Sequence, residues 1–129
     1  MLQIGVKNIS ELTVMENHTA KFVQSGGTNV LATPILINLM EKCAWQCVLP
    51  DMAENEDTVG IFIEVKHIAP TPIGMTVQCV CELIAIHNRE LIFQIEVFDE
   101  VEKIAQATHK RFIVQSDKFQ NKADKKLNL

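Results

Sequence analysis

The sequence predicts an α+β fold in which one long apolar helix is followed by an antiparallel sheet. Residues 35–49 form an almost continuous apolar run behind a helix start signal. Four later segments, 58–68, 75–86, 91–100 and 103–114, are rich in strand-forming residues and contain stretches with a period of two. Short polar turns separate the last three of these segments, which indicates strands joined directly to one another.

The helix signal is the strongest in the chain. Thr33 can cap the N-terminus, Pro34 suits the first helical position, and Pro50 ends the helix. The apolar residues between Ile35 and Leu49 are too many to lie on one stripe. That pattern is typical of a helix buried in the middle of a fold.

The strands are expected to form an antiparallel meander. Leu12 and Val14 alternate with polar residues and indicate a first strand, and a rigid Pro-rich connection at 69–74 follows the 58–68 segment. A long helix followed by such a meander predicts a curled sheet wrapped around the helix, which is the hotdog fold. Because one sheet cannot enclose this helix, a homodimer or higher multiple is expected.

Composition excludes several classes of function. With 129 residues the chain is expected to form one domain, 1–129, in which 118–129 is a mobile basic tail. The net charge of −4 and the lack of any other basic cluster disfavour nucleic acid as a partner. No apolar run reaches membrane-spanning length and no signal peptide is recognisable, so a cytoplasmic protein without a membrane partner is expected.

The cysteines are expected to be reduced residues of the core. Cys43 and Cys47 are four apart, and Cys79 and Cys81 are two apart, so neither pair forms a CxxC motif. The spacings lack any zinc-ribbon signature, and a metal site is therefore not expected.

Glu41 is the first candidate for catalysis. It lies in mid-helix with Ile37 one turn before it and Trp45 one turn after it, so its carboxylate falls on an otherwise apolar stripe. A buried carboxylate without compensation suggests function, because desolvation disfavours its charged form. A glutamate at the helix edge that reaches solvent explains the pattern equally well, and both interpretations stay open.

His67 is the second candidate. Strand alternation places it on the same face as Ile61, Ile63 and Val65, which is expected to face the helix. A lone inward histidine is more often a satisfied core residue than a catalyst. The remaining histidines, His18, His87 and His109, have weaker claims.

Two further polar residues flank these candidates. Thr33 has a structural role as helix cap, and its hydroxyl could also face a ligand at the helix N-terminus. Asn38, one turn from Glu41, could orient the carboxylate or mark a dimer contact. No GxSxG, Walker A, GxGxxG or HExxH motif is present, which argues against the serine-hydrolase, nucleotide-binding and zincin classes.

Several segments from residue 28 onward are distinctive: Ala32-Thr33-Pro34, Leu39-Met40-Glu41, residues 65–74, residues 107–111 and Asp117-Lys118-Phe119. Together they resemble the fluoroacetyl-CoA thioesterase family of hotdog proteins. The resemblance implies hydrolysis of a short-chain acyl-CoA thioester, without a metal or a cofactor other than the CoA of the substrate. It implies that Thr33, Glu41 and His67 form the catalytic set and that Gly60 and Arg111 match the family's Gly at a strand start and its Arg in the last strand. Gly60, Arg111, Asn38 and Val30 are expected to contact the substrate.

The sequence departs from that family in the loop before the helix. The family's loop is longer and carries an aromatic lid residue, whereas this loop holds Gly26 and Gly27. A more open acyl pocket is therefore expected, with Val30 and Leu31 as the next apolar residues that could shape it. Two alternatives to a thioesterase stay open: a non-catalytic hotdog protein that binds acyl-CoA or another ligand and, less favoured, a hotdog hydratase or dehydratase.

Overall fold

A computed structural model describes residues 2–129 and shows five strands and three helices. The strands are β1 Lys7–Thr13, β2 Glu56–His67, β3 Thr76–His87, β4 Glu90–Phe98 and β5 Lys103–Gln115, and the helices are α1 Ala20–Val23, α2 Thr33–Val48 and α3 Ser116–Asp124. Short 3₁₀ turns lie at Glu16–His18, Leu49–Asp51 and Lys125–Asn128. All of the strands predicted from the sequence are therefore confirmed with small shifts of their ends.

The strands form one antiparallel sheet with the order β1-β3-β4-β5-β2. The meander is confirmed for β3, β4 and β5 but is wrong for β2, which pairs with β5 and not with β3. The Pro-rich connection explains the difference, because 69–74 is too rigid for a tight hairpin and carries the chain away from β2. As a result β2 is an edge strand, and its outer edge has no partner within residues 2–129.

Helix α2 packs one face against the sheet. Its buried residues are Leu36, Leu39, Met40, Cys43, Ala44, Cys47 and Val48. The opposite face is exposed or partly buried, so the expectation of a helix buried on all sides is wrong for a single chain. One sheet covers one side of a helix, and the uncovered side includes Ile37, Glu41 and Trp45.

The start of α2 differs from the prediction by one residue. Ala32 is the N-cap, Thr33 is the first helical residue, and Pro34 follows it. The Thr33 hydroxyl makes no capping bond, because it hydrogen bonds to His67 instead. The observed helix therefore begins with no side-chain cap.

A β-bulge interrupts β2 near its middle. Gly60 pairs with Arg111 and Phe62 pairs with Lys110, which leaves Ile61 as the extra residue. The bulge breaks the predicted alternation, and Ile61 is 52% exposed where an inward position was expected. Beyond the bulge the alternation holds, so that Ile63, Val65 and His67 are partly buried as predicted.

All four cysteines lie in the core with free thiols, as expected. Cys43 and Cys47 are on α2, and Cys79 and Cys81 are on β3 directly beneath them. The Cys81 thiol donates to the Cys43 carbonyl at 3.4 Å, and the Cys43 thiol donates to the Cys79 carbonyl at 3.6 Å. The cysteine cluster therefore joins the helix to the sheet.

The C-terminal residues expected to form a mobile tail are exposed, but they fold as the helix α3 and a 3₁₀ turn. Within residues 2–129, no helix is both long and apolar enough to cross a bilayer.

Candidate active site

Glu41 lies on the uncovered side of α2, above β2. Its side chain is 43% exposed, so the half-exposed edge position is observed in the single chain. The carboxylate lines an open cavity of about 340 Å³ together with Asn38, Lys42, Trp45 and Arg111. Its flanking residues Ile37 and Trp45 are partly buried, which leaves this stripe at the margin of the core.

Gly60 leaves the space that the Glu41 carboxylate occupies. A β-carbon on Gly60 would lie 2.8 Å from Oε2 of Glu41 and 3.3 Å from Cε1 of His109. Contacts of carbon with oxygen at 2.8 Å are well inside van der Waals separation. The bulged strand therefore admits the carboxylate only because residue 60 has no side chain.

Arg111 places a buried cation beside Glu41. It is 6% exposed, and its Nη1 lies 3.9 Å from Oε2 of Glu41. Thr58 holds the other side of the guanidinium: Nε donates to the Thr58 hydroxyl at 2.8 Å and Nη2 donates to its carbonyl at 2.9 Å. Burial lowers the pKa of Arg111, and the charges of Glu41 and Asp57 oppose that shift. A guanidinium remains protonated in proteins, so the cavity carries a fixed positive charge.

His109 completes this group of residues. It is 1% exposed, with Nδ1 2.8 Å from the Phe62 carbonyl oxygen and Nε2 3.2 Å from Nη1 of Arg111. Burial lowers its pKa, and so does the nearby Arg111 charge, while the Phe62 carbonyl and the Glu41 charge act in the opposite direction. The imidazole is therefore neutral at neutral pH.

Thr33 and His67 form a second group of residues. The Thr33 Oγ1 and the His67 Nδ1 are 2.8 Å apart, which joins the start of α2 to the end of β2. The other ring nitrogen, Nε2, is buried and has no hydrogen-bond partner within residues 2–129. Burial lowers the pKa of His67, although the Ala69 backbone opposes the shift, and the ring is neutral at neutral pH.

The two groups line different cavities of the single chain. His67 and Val30 border an open cavity of about 240 Å³ with Ile68, Ala69 and Pro70, and Glu41 is absent from its lining. The structure thus brings together Glu41, Gly60, Arg111 and Asn38 in one place, and Thr33, His67 and Val30 in another. Within the chain the Thr33 hydroxyl contacts His67 and not Glu41.

The sequence interpretation ranked His109 below His67 and overlooked Thr58. Strand alternation supports a higher rank for His109, since it is two residues before Arg111 on β5 and shares its inward face. Trp45 and Asp57 were also overlooked. The Trp45 indole donates to the Asp57 carboxylate at 2.7 Å and ties α2 to β2 beside the Glu41 cavity.

Another groove of about 360 Å³ lies between β5 and α3 and is lined by none of the predicted site residues. Within residues 2–129, no group of three or more His, Cys, Asp or Glu side chains is arranged to hold a metal ion.

Comparison with known proteins decides the family. Residues 14–117 match the family model described as FlK, fluoroacetyl-CoA-specific thioesterase. The fluoroacetyl-CoA thioesterase of Streptantibioticus cattleyicolor is 33% identical over 97 residues, which cover 75% of this chain and 70% of that protein. The chain belongs to the fluoroacetyl-CoA-specific thioesterase family. As a member of this family it is an acyl-CoA thioesterase, and the resemblance seen in the sequence is confirmed.

Solved structures agree with the family and the fold. A crystal structure of the fluoroacetyl-CoA thioesterase FlK has a TM-score of 0.93 and 26% identity, with 98% of each chain covered. A variant of FlK that was crystallised with fluoroacetate and CoA has a TM-score of 0.87 and 27% identity, covering 92% of this chain and 99% of that one. A thioesterase-superfamily protein of Thermus thermophilus, at 22% identity and a TM-score of 0.92, covers 99% of this chain and 95% of its own, and shows the fold alone. The predicted hotdog fold is confirmed.

Proposed function

We propose that this family member hydrolyses a short-chain acyl-CoA thioester with Glu41, His67 and Thr33 as its catalytic residues, in a site shared between two copies of the chain. The observation that carries the proposal is the placement of the Glu41 carboxylate against Gly60 and beside Arg111. The carboxylate is open to solvent on one side and faces the buried Arg111 cation at 3.9 Å on the other. Asn38 and Val30, one in each cavity, are proposed to contact the substrate.

Glu41 supplies the reacting oxygen directly or through water. As a nucleophile, its carboxylate attacks the thioester carbon, the C–S bond breaks, CoA leaves as a thiolate, and water then hydrolyses the mixed anhydride. As a general base, it removes a proton from a water molecule that attacks the same carbon. Both routes need an ionised carboxylate and end in the free acid and CoA.

His67 acts on the thioester from its other side. Thr33 holds Nδ1, so the ring orientation is fixed and Nε2 is the nitrogen available to the substrate. In the tautomer with hydrogen on Nε2, the ring donates a hydrogen bond to the thioester carbonyl or to the departing thiolate, and the thiolate then takes its proton from water. A neutral imidazole suits this role, because its N–H can donate without adding a second positive charge to the site.

The developing oxyanion needs hydrogen-bond donors, and the start of α2 is the proposed source. The first N–H groups of a helix have no partner within the helix. Ala32 is already used, since its N–H donates to the His18 carbonyl at 2.9 Å, and Pro34 has no N–H. The backbone N–H groups of Thr33 and Ile35 are the remaining candidates.

Glu41 and His67 are too far apart in one chain to act on one thioester. Thr33, which contacts His67, is eight residues before Glu41 on α2, a rise of about 12 Å. Gly60, which contacts Glu41, is seven residues before His67 on β2, roughly 20 Å along the strand. These spacings agree with the two separate cavities.

Pairing of β2 with the same strand of a second copy would join the two halves. The outer edge of β2 is unpaired over its length, and Ile61 and Phe62 on it are 52% and 45% exposed. Antiparallel pairing about a two-fold axis near Ile63 places His67 of each copy opposite Gly60 of the other. Each dimer would then hold two sites, and the uncovered face of α2 would be buried.

The test of the activity is an acyl-CoA panel. Free CoA release is measured with acetyl-, propionyl-, butyryl- and longer acyl-CoAs, for the native protein and for Glu41→Gln. Glu41→Gln keeps the shape of the side chain but removes its charge, so turnover should fall by on the order of 10²-fold or more. A folded Glu41→Gln protein with native turnover would refute the catalytic assignment, and CoA binding without hydrolysis by the native protein would support the non-catalytic alternative.

The test of the shared site is complementation between two inactive variants. Glu41→Gln and His67→Ala are mixed under conditions that exchange subunits. Half of the resulting dimers are hybrids, and each hybrid has one intact site, so about a quarter of native activity should return. A site contained within one chain would give no recovery, and light scattering should show a dimer or a multiple of it, since a monomer contradicts the proposal.

A further inference from the structure

We infer that His109 is a positioning residue for this site, whose neutral imidazole holds the Arg111 guanidinium in the orientation that faces Glu41. The inference rests on the proposed function, because it concerns how the same carboxylate is kept ready to react. It assigns a role to a buried histidine that does not itself reach the Glu41 cavity lining.

The hydrogen bonds of His109 define one tautomer. Its Nδ1 lies 2.8 Å from the Phe62 carbonyl oxygen, which can only accept, so Nδ1 carries the hydrogen. Its Nε2 lies 3.2 Å from Nη1 of Arg111, which can only donate, so Nε2 presents a lone pair. Each neighbour alone requires the same tautomer, and together they fix both the proton and the plane of the ring.

Arg111 is then held by neutral acceptors on three nitrogens. Nε and Nη2 donate to the hydroxyl and the carbonyl of Thr58, and Nη1 donates to His109. Nη1 has a second hydrogen, and the Nη1 nitrogen lies 3.9 Å from Oε2 of Glu41. None of these three acceptors carries a charge, so the positive charge of Arg111 is left to act on the carboxylates of Glu41 and Asp57.

Protonation of His109 would undo this arrangement. A hydrogen on Nε2 would point at Nη1 of Arg111, so that two donors would face each other in a buried site. The charged groups facing His109 are Arg111 on its own strand and Glu41 from α2, and Phe93 on β4 packs near the ring with centroids 6.1 Å apart. The Arg111 charge opposes a second positive charge here, and so does burial.

Two substitutions, His109→Gln and His109→Asn, distinguish a positioning role from a purely structural one. Glutamine places its amide oxygen near the position of Nε2 and can accept from Arg111, but it loses the bond to Phe62. Asparagine places its amide nitrogen near Nδ1 and can donate to the Phe62 carbonyl, but it leaves Arg111 without its third acceptor. The two variants therefore separate the Arg111 contact from the Phe62 contact.

The first experiment measures kcat and KM on the best acyl-CoA for His109→Gln and His109→Asn, with thermal unfolding to show that both fold. Glutamine should retain kcat within a few-fold, and asparagine should lose on the order of 10-fold in kcat with little change in KM, because the carboxylate is misdirected but binding is not. Equal losses, or better activity with asparagine, would overturn the positioning role.

The second experiment does not depend on turnover. Nitrogen-15 NMR of the histidine side chains in the native protein should show His109 with hydrogen on Nδ1 at neutral pH. A spectrum with hydrogen on Nε2 would overturn the inference even if neither variant folds. If Glu41→Gln leaves turnover unchanged while His109 shows the expected tautomer, the proposed function fails, whereas the Arg111–His109 contact stands.

Discussion

Replacing Gly60 by alanine should disable the site while leaving the fold intact. The added β-carbon would lie 2.8 Å from Oε2 of Glu41, and ordinary van der Waals contact begins near 3.4 Å. The carboxylate must therefore withdraw by roughly 0.6 Å, and the same β-carbon would lie 3.3 Å from Cε1 of His109 and 3.6 Å from Nη1 of Arg111. Glu41 can retreat toward solvent, since its side chain is 43% exposed.

Catalysis and stability should respond to this substitution by different amounts. A displacement of this size at the reacting group is expected to lower kcat/KM by about 10- to 100-fold, or about 1.4 to 2.7 kcal/mol in the activation free energy. The backbone at Gly60 does not need a positive φ, so alanine is tolerated there and restricts the unfolded chain. The free energy of unfolding should thus change by less than about 1 kcal/mol.

The assay pairs kcat/KM from CoA release with the midpoint of urea unfolding. Gly27→Ala is the matched control, because a β-carbon on Gly27 meets no atom within 4 Å. It should leave both quantities near their native values. A Gly60→Ala protein with native kcat/KM would show that the close contact between Gly60 and Glu41 is not needed for catalysis, and a large loss of stability would show that the strand itself requires glycine.

Three further predictions follow from other contacts. Thr33→Ala should lower kcat by roughly 10-fold, because it releases His67. Thr33→Ser keeps the hydroxyl, so its kcat should stay within a few-fold of the native value. Comparable losses of kcat in both variants would contradict a role for the 2.8 Å hydrogen bond between Thr33 and His67. Burial holds the pKa values of His67 and His109 below the ordinary 6.5, so the free energy of unfolding should be full above pH 6.5 and should decline as pH falls toward those lowered values. Urea unfolding midpoints measured from pH 7.5 to 5.5 check this. If the dependence of the midpoint on pH is unchanged in a folded His109→Gln protein, His109 is excluded as a contributor. The native protein should show little preference for fluoroacetyl-CoA over acetyl-CoA. Position 27 has room for a side chain, so Gly27→Phe should raise the ratio of kcat/KM for fluoroacetyl-CoA to kcat/KM for acetyl-CoA. A native preference of several orders of magnitude would show that a residue outside this loop closes over the acyl group.

The strands were predictable because the alternation of apolar and polar residues within each strand reflects which of its faces is buried. Alternating residues over Thr76–His87 and Lys103–Gln115 reflect one buried face and one exposed face, and that signal is local. Partner choice is not local. β2 reads as the next strand of a meander, and only the rigidity of the connection before β3 indicates that it pairs elsewhere.

The errors at the site come from contacts between residues distant in the chain. Thr33 carries the ordinary signal of a helix cap, but His67, 34 residues away, takes its hydroxyl. Ile61 has the right parity for an inward position, and the bulge at Gly60 removes it; a glycine within a strand pattern was the available signal. The exposure of Glu41 depends on how much of α2 the sheet covers, which a helical pattern does not record.

The cysteine cluster has a practical consequence for kinetics. Thioesterase activity is commonly followed by trapping the released CoA thiol with a disulfide reagent, and the four protein thiols could react as well. In the native chain all four are buried between α2 and the sheet, so each reacts only when that packing opens. In the native enzyme the absorbance therefore measures released CoA. In a destabilised variant the same absorbance also includes reaction with protein thiols, which become accessible when α2 separates from the sheet.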